Sequence, residues 1–118
     1  MIVIQFSGHL DLAHAQHMMA AVDRLRHTGR PVDAFNDWQA MESYDHEARL
    51  ALTDWVRRIR PSFRSLHILQ RSKIVSMGVS VANLALGGLL RAYTDRDSFQ
   101  RALATTSGGG TGAPLPAR

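Results

Sequence analysis

The apolar positions of the chain switch repeatedly between a strand-like and a helix-like rhythm. Ile2 to Ser7 is a short run of β-branched and aromatic residues ending at Gly8, which predicts a strand with both faces covered. Ala15, Met18, Met19, Val22 and Leu25 then fall on one helical face. They predict a helix over 12–28, with Asp11 as N-cap and Gly29 and Pro31 ending it. A second strand is expected at Val32 to Asn36, then a polar loop carrying Asp37 to Glu47. Leu52, Trp55, Val56 and Ile59 restore the helical spacing and predict a helix over 45–60, stopped by Pro61. Leu66 to Gln70 reads as a third strand and 73–86 as a third helix, closed by Gly87-Gly88. Leu89 to Tyr93 is a short last strand, followed by a helix capped by Asp95 or Asp97 and running to Ala104.

Strands alternating with helices give an α/β class, with a mostly parallel four-stranded sheet built from βα repeats. The expected division is one domain over 1–104 and a Gly/Pro-rich tail, disordered by composition, over 105–118. A chain of 118 residues has room for one such core.

The absence of cysteine excludes a disulfide framework, a thiol nucleophile and cysteine metal sites, and agrees with a cytoplasmic location. The start, Met-Ile-Val-Ile-Gln-Phe, lacks the basic segment and long apolar core of a signal peptide. Ile74 to Leu90 is uncharged, but it is short for a membrane span and is broken by Ser, Asn and Gly, so no transmembrane segment is expected. The net charge of +4 is unevenly spread: residues 1–54 hold eight acids and four bases, and 55–118 hold two acids and ten bases. The basic set Arg57, Arg58, Arg60, Arg64, Arg71 and Lys73 makes an anionic ligand, nucleic acid or anionic lipid the alternative partner class.

Three short motifs carry a likeness. Gly8-His9-Leu10-Asp11 closes the first strand, Asp37-Trp38 follows the second, and Asp45 comes eight residues after Asp37. In order and spacing the chain resembles the STAS domain, the family of anti-sigma-factor antagonists, over roughly residues 2–104; a Sec14-like lipid-binding domain is a weaker match. The resemblance implies a non-catalytic, bacterial-type regulatory module without cofactors, binding another protein such as a regulator or kinase-like partner; an uncovered sheet edge or the apolar helix over 73–86 adds a homodimer as a further option. Its partner surface would be Asp37, Trp38, Ser43, Tyr44, Asp45, His46 and Glu47. The family's phosphorylatable Ser or Thr follows the signature Asp, where this chain has His46, so the usual hydroxyl switch is missing. The family strand preceding Gly-x-Leu-Asp is also missing, which leaves a sheet edge open to pairing.

The bland reading of 43–47 is capping, with Ser43 or Asp45 as N-cap and Glu47 in the first turn. His9, His14 and His17 read as surface histidines, because no carboxylate motif completes a metal site. No nucleophile and base are spaced in sequence as a catalytic set, which argues against an enzyme. The apolar helix over 73–86 is expected to be a core helix covered on more than one side, with a partner-binding patch as the sharper reading.

Overall fold

The computed structural model describes residues 1–25 and 30–111. Its elements are β1 (Ile2–Leu10), α1 (Leu12–Leu25), β2 (Val32–Tyr44), α2 (His46–Arg58), a 3-10 turn (Arg60–Ser62), β3 (Phe63–Gln70), α3 (Lys73–Ala85), β4 (Leu90–Tyr93) and α4 (Arg96–Thr111). The four strands form one sheet in the order β1-β2-β3-β4, and every pairing is parallel. The predicted β-α alternation is therefore the architecture.

Alternate residues of the central strands face two separate cores. Ala34, Leu66, Ile68 and Leu90 point toward α1, α2 and α3, where they meet Ala15, Val22, Trp55, Val56, Val75 and Val79. Phe35 and Leu69 point the other way, onto Phe99 of α4. Three helices thus cover one face of the sheet, while α4 covers part of the other.

Four expectations need correction. β1 is buried on one face only, in strict alternation, because it is an edge strand and α4 packs over β3 and β4. The expected loop after Asn36 is strand as far as Tyr44. β2 advances seven residues from Asp37 to Tyr44 while β1 advances five from Gln5 to Leu10, and register shifts at Gln5/Ser7 and Gly8/His9 absorb the difference. Such bulges break the period of two that would have marked the strand; Gly8, at φ 85°, takes a conformation few other residues tolerate. α3 buries Val75, Gly78, Val79 and Ala82 but leaves Ile74, Met77, Val81 and Leu84 exposed, so it is covered on one side. α4 continues past Ala104 to Thr111. The expected end of α1 at Thr28-Gly29 and residues 112–118 of the tail expected over 105–118 lie outside the described residues.

Among the described residues no helix is long and apolar enough to cross a membrane.

Candidate functional site

β1 and β2 run parallel, so their carboxyl ends deliver His9 and Ser43 side by side as register partners, with Leu10 opposite Tyr44. The Asp45 N–H donates to the Leu10 carbonyl at 2.8 Å, which fixes the entry into α2 against the end of β1. On this scaffold His9 bridges two residues. Its Nδ1 lies 2.7 Å from Ser43 Oγ and its Nε2 lies 2.8 Å from Asp45 Oδ1. Asp45 as a carboxylate can only accept, so Nε2–H donates to it and the neutral ring offers Nδ1 to the Ser43 hydroxyl. The His9 and Asp45 side chains keep 49% and 45% of their surface exposed, so the array can be touched from outside.

Asp45 occupies the N-cap position of α2, but its side chain makes no capping hydrogen bond. The cap reading therefore fails for this side chain: its carboxylate is turned to His9. His46 and Glu47 are exposed in the first turn, and the Arg49 guanidinium donates to His46 Nδ1 at 3.2 Å. Beneath them Tyr44 is half-buried, with its ring against Gly78 of α3. The Ser72 hydroxyl, which caps α3, also donates to the Glu42 carbonyl at 3.2 Å and joins that helix to the end of β2.

The structure gathers Ser43, Tyr44, Asp45, His46 and Glu47 at one edge and separates Asp37 and Trp38 from them. Asp37 lies within β2 and accepts from the Arg96 guanidinium of α4 at 2.8 Å. Trp38 turns to the opposite face and packs against the larger core. There it lines, with Met41, Tyr44 and Leu52, a cavity of about 90 Å³. Its indole N–H is buried without a hydrogen-bond partner among the described residues.

The basic set does not converge. Arg57 and Arg58 engage Asp54, at 3.8 and 3.2 Å, and Arg64 engages Asp33 at 2.7 Å. The Arg60 guanidinium donates to the Leu86 carbonyl. Arg64 lies near the start of β3, whereas Arg71 and Lys73 follow its end, roughly 23 Å further at the rise of a strand. Among the described residues no group of three potential ligands gathers for a metal; His14 is held by Asp11, whose carboxylate also accepts from the His14 backbone N–H.

A second polar cluster, on the face under α4, was not anticipated. Asp33 accepts from Ser65 Oγ at 2.5 Å, Ser65 Oγ lies 2.9 Å from His67 Nε2, and His67 Nδ1 lies 2.8 Å from Tyr93 Oη. Ser65 spends its proton on Asp33, so His67 donates from Nε2 and accepts at Nδ1 from Tyr93. Phe35 stacks on the His67 ring at 4.1 Å. Burial pushes His67 below its ordinary value, the Arg91 charge adds to this, and Asp33 opposes it. The Arg64 hydrogen bond holds Asp33 below the usual carboxylate range, against the opposing effect of burial.

His9 is the site residue that sequence reasoning passed over. The signal was present: Gly-His-Leu-Asp ends one strand and Ser-Tyr-Asp ends its parallel neighbour, so the correct register alone brings them together.

No family model and no curated protein matches the chain. Among solved structures, the chain is similar to an uncharacterized protein of the DUF3478 family from Shewanella loihica PV-4, described as having a SpoIIAA-like fold. The TM-score is 0.63 at 14% identity, over 84% of this chain and 80% of that one. The chain has the SpoIIAA-like fold, which is the fold of the STAS and anti-sigma-antagonist domains that its sequence motifs resemble.

Proposed function

We propose that this protein is a regulatory interaction module of the STAS type, capturing another protein at the edge formed by Ser43, Asp45, His46 and Glu47. The observation that carries this reading is the His9 bridge. It fixes a half-buried hydroxyl and an exposed carboxylate in one geometry beside the start of α2. A preset polar array costs little ordering entropy on binding, which suits recognition of a protein surface bearing basic and hydrogen-bonding groups. Two local features support it: Asp45 is not spent on capping, and Tyr44 with Gly78 gives the edge a rigid floor. His46 occupies the position of the family's phosphorylated residue, so capture does not depend on a phosphorylated hydroxyl there. The partner is a regulator or kinase-like protein.

The test is a pull-down from source lysate with wild type, Asp45→Lys and His9→Ala, read by mass spectrometry. A protein captured by wild type and lost with both variants is the expected result. Equal capture by all three would remove the edge as the binding surface.

A second reading rests on the same hydrogen bonds. Ser43, His9 and Asp45 stand in the hydroxyl–imidazole–carboxylate order of an acyl-transfer nucleophile, with the ring turned so that Nδ1 faces the serine. Ser43 Oγ would attack an acyl carbonyl and pass its proton to His9 Nδ1, which returns it to the leaving group. Labelling with a fluorophosphonate probe decides it: an adduct on Ser43 that His9→Ala abolishes supports the reading, and no adduct at Ser43 excludes it.

A further inference from the structure

α3 presents to solvent a stripe of large apolar side chains that its own fold leaves uncovered. Ile74, Met77, Val81 and Leu84 are 56%, 67%, 50% and 84% exposed. Single exposed apolar residues are ordinary, but four in a row on one helix are not. Their spacing is three, four and three, the a/d rhythm by which one helix packs along another. The opposite side of α3 is already spent on the core, through Val75, Val79 and Ala82. This stripe shares no residue with the polar edge, so the inference stands independently of the proposed function.

We infer that the stripe is covered by a second copy of this chain, through antiparallel packing of α3 on α3 about a two-fold axis. The spacing is the same read in either direction. With the axis opposite position 79, Ile74 meets Leu84 of the other copy, and Met77 meets Val81. A two-fold interface requires that self-complementarity, since each patch must serve as its own partner.

Charge points to the same occupant and the same orientation. Lys73 is the only charged residue in α3. The antiparallel arrangement carries the two lysines to opposite ends and sets each beside the carboxyl end of the facing helix, where the dipole favours a cation. A parallel pair would place them together. An anionic surface would meet only Lys73, at one end of the stripe, and no charge along the rest of it.

The patch also sets the strength. Its 13 residues span about 20 Å at the rise of a helix, and the strip is about 10 Å wide. That is well short of the ~800 Å² per partner of a standard stable interface. The dimer is therefore weak and reversible, and it forms only at high protein concentration.

Sedimentation equilibrium on the full chain over a wide concentration range tests the dimer. Wild type should shift from monomer to dimer, and Leu84→Lys and Met77→Lys should each remain monomeric at every concentration with unchanged circular dichroism. Asp45→Lys should dimerise as wild type does, which keeps this test apart from partner capture at the edge. Orientation is read by cross-linking, with no background because the chain has no cysteine. Ile74→Cys/Leu84→Cys should form an intermolecular disulfide on mild oxidation. Leu84→Cys alone should not, because its two copies would lie about 15 Å apart, five residues either side of the axis. A wild type monomeric throughout overturns the proposal, as does a dimer unaffected by both lysine variants. Efficient cross-linking through Leu84→Cys alone overturns the antiparallel arrangement. Binding of neutral lipid vesicles by a wild type that stays monomeric would assign the stripe to a membrane surface instead.

Discussion

Replacing Gly78 by alanine sets two effects of known sign against each other. Gly78 lies within α3, where alanine is favoured over glycine by about 1 kcal/mol. A Cβ built there would lie 2.5 Å from Tyr44 Oη, 2.6 Å from Cζ and 2.8 Å from Cε1. All three approaches fall inside van der Waals contact, and a rigid ring cannot relieve them by a small torsion. Overpacking of this kind costs about 1–3 kcal/mol, and because Tyr44 is only half-buried its ring has somewhere to go. The net expectation for Gly78→Ala is a destabilisation of about 0–2 kcal/mol, against the sign that helix propensity alone gives. In a Tyr44→Ala background the obstacle is gone, and the same substitution should stabilise by about 1 kcal/mol. The coupling between the two sites is then about 1–3 kcal/mol, read from a cycle of four proteins. Urea unfolding followed by the fluorescence of Trp38 and Trp55 measures it directly. If Gly78→Ala stabilises the wild type and the Tyr44→Ala protein equally, the ring does not rest on α3 and the floor of the polar edge is misassigned.

Other consequences can be checked with the same apparatus. Phe99, 1% exposed, is the helix side of the smaller core, so Phe99→Ala should cost about 3–5 kcal/mol, unless α4 simply detaches, which would appear as lost helical ellipticity with the main transition intact. The depressed His67 gives a pH dependence of definite sign. Both folded and unfolded forms are neutral well above the ordinary histidine value of about 6.5; below it the unfolded chain takes up the proton first, and stability falls until the folded imidazole also titrates. His67→Gln should flatten the loss of unfolding free energy between about pH 7 and 5 relative to wild type, and an unchanged slope would mean that His67 is not buried as a neutral ring. Asp33 acts in the acid range with the same direction, since its depressed value makes its contribution present above the usual carboxylate range and lost as pH falls through the folded value. Asp33→Asn should therefore reduce the acid sensitivity of unfolding below about pH 4.

Most of the fold could be read from period alone. The helical faces of α1 and α2 carry their core residues where the spacing put them, except Leu25 at the end of α1, which is exposed, and Pro61 and Gly87-Gly88 lie just past the helix ends. β2 was cut short for a physical reason. Its second half mixes polar and apolar residues out of step, and the bulges beside it replace the alternation by steps of three, with Trp38, Met41 and Tyr44 facing the same core. Only the pairing with β1 keeps that stretch extended. The site suffered from the same cause. Asp37 and Glu47 looked like two ends of one loop, yet the strand between them sends Asp37 to α4 and leaves the later residues at the edge. His67 offered no warning, because a histidine in an apolar strand looks like any half-exposed polar residue until the partners at Ser65 and Tyr93 are seen. On α3, the pattern places apolar residues on more than one side but cannot say which side the sheet takes.

The placement of α4 on its own small cluster has a kinetic corollary. The helix is anchored by Phe99 on Phe35 and Leu69, with Tyr93 alongside, whereas α1 to α3 share one continuous core with all four strands. Cooperative units in proteins follow such divisions, and a unit held by few buried contacts opens at a free energy well below that of global unfolding. Amide protons of α4 should exchange with solvent through a partial opening that leaves β1 to β3 protected. Each such excursion bares the aromatic stack around His67 without disturbing the edge at Ser43 and Asp45.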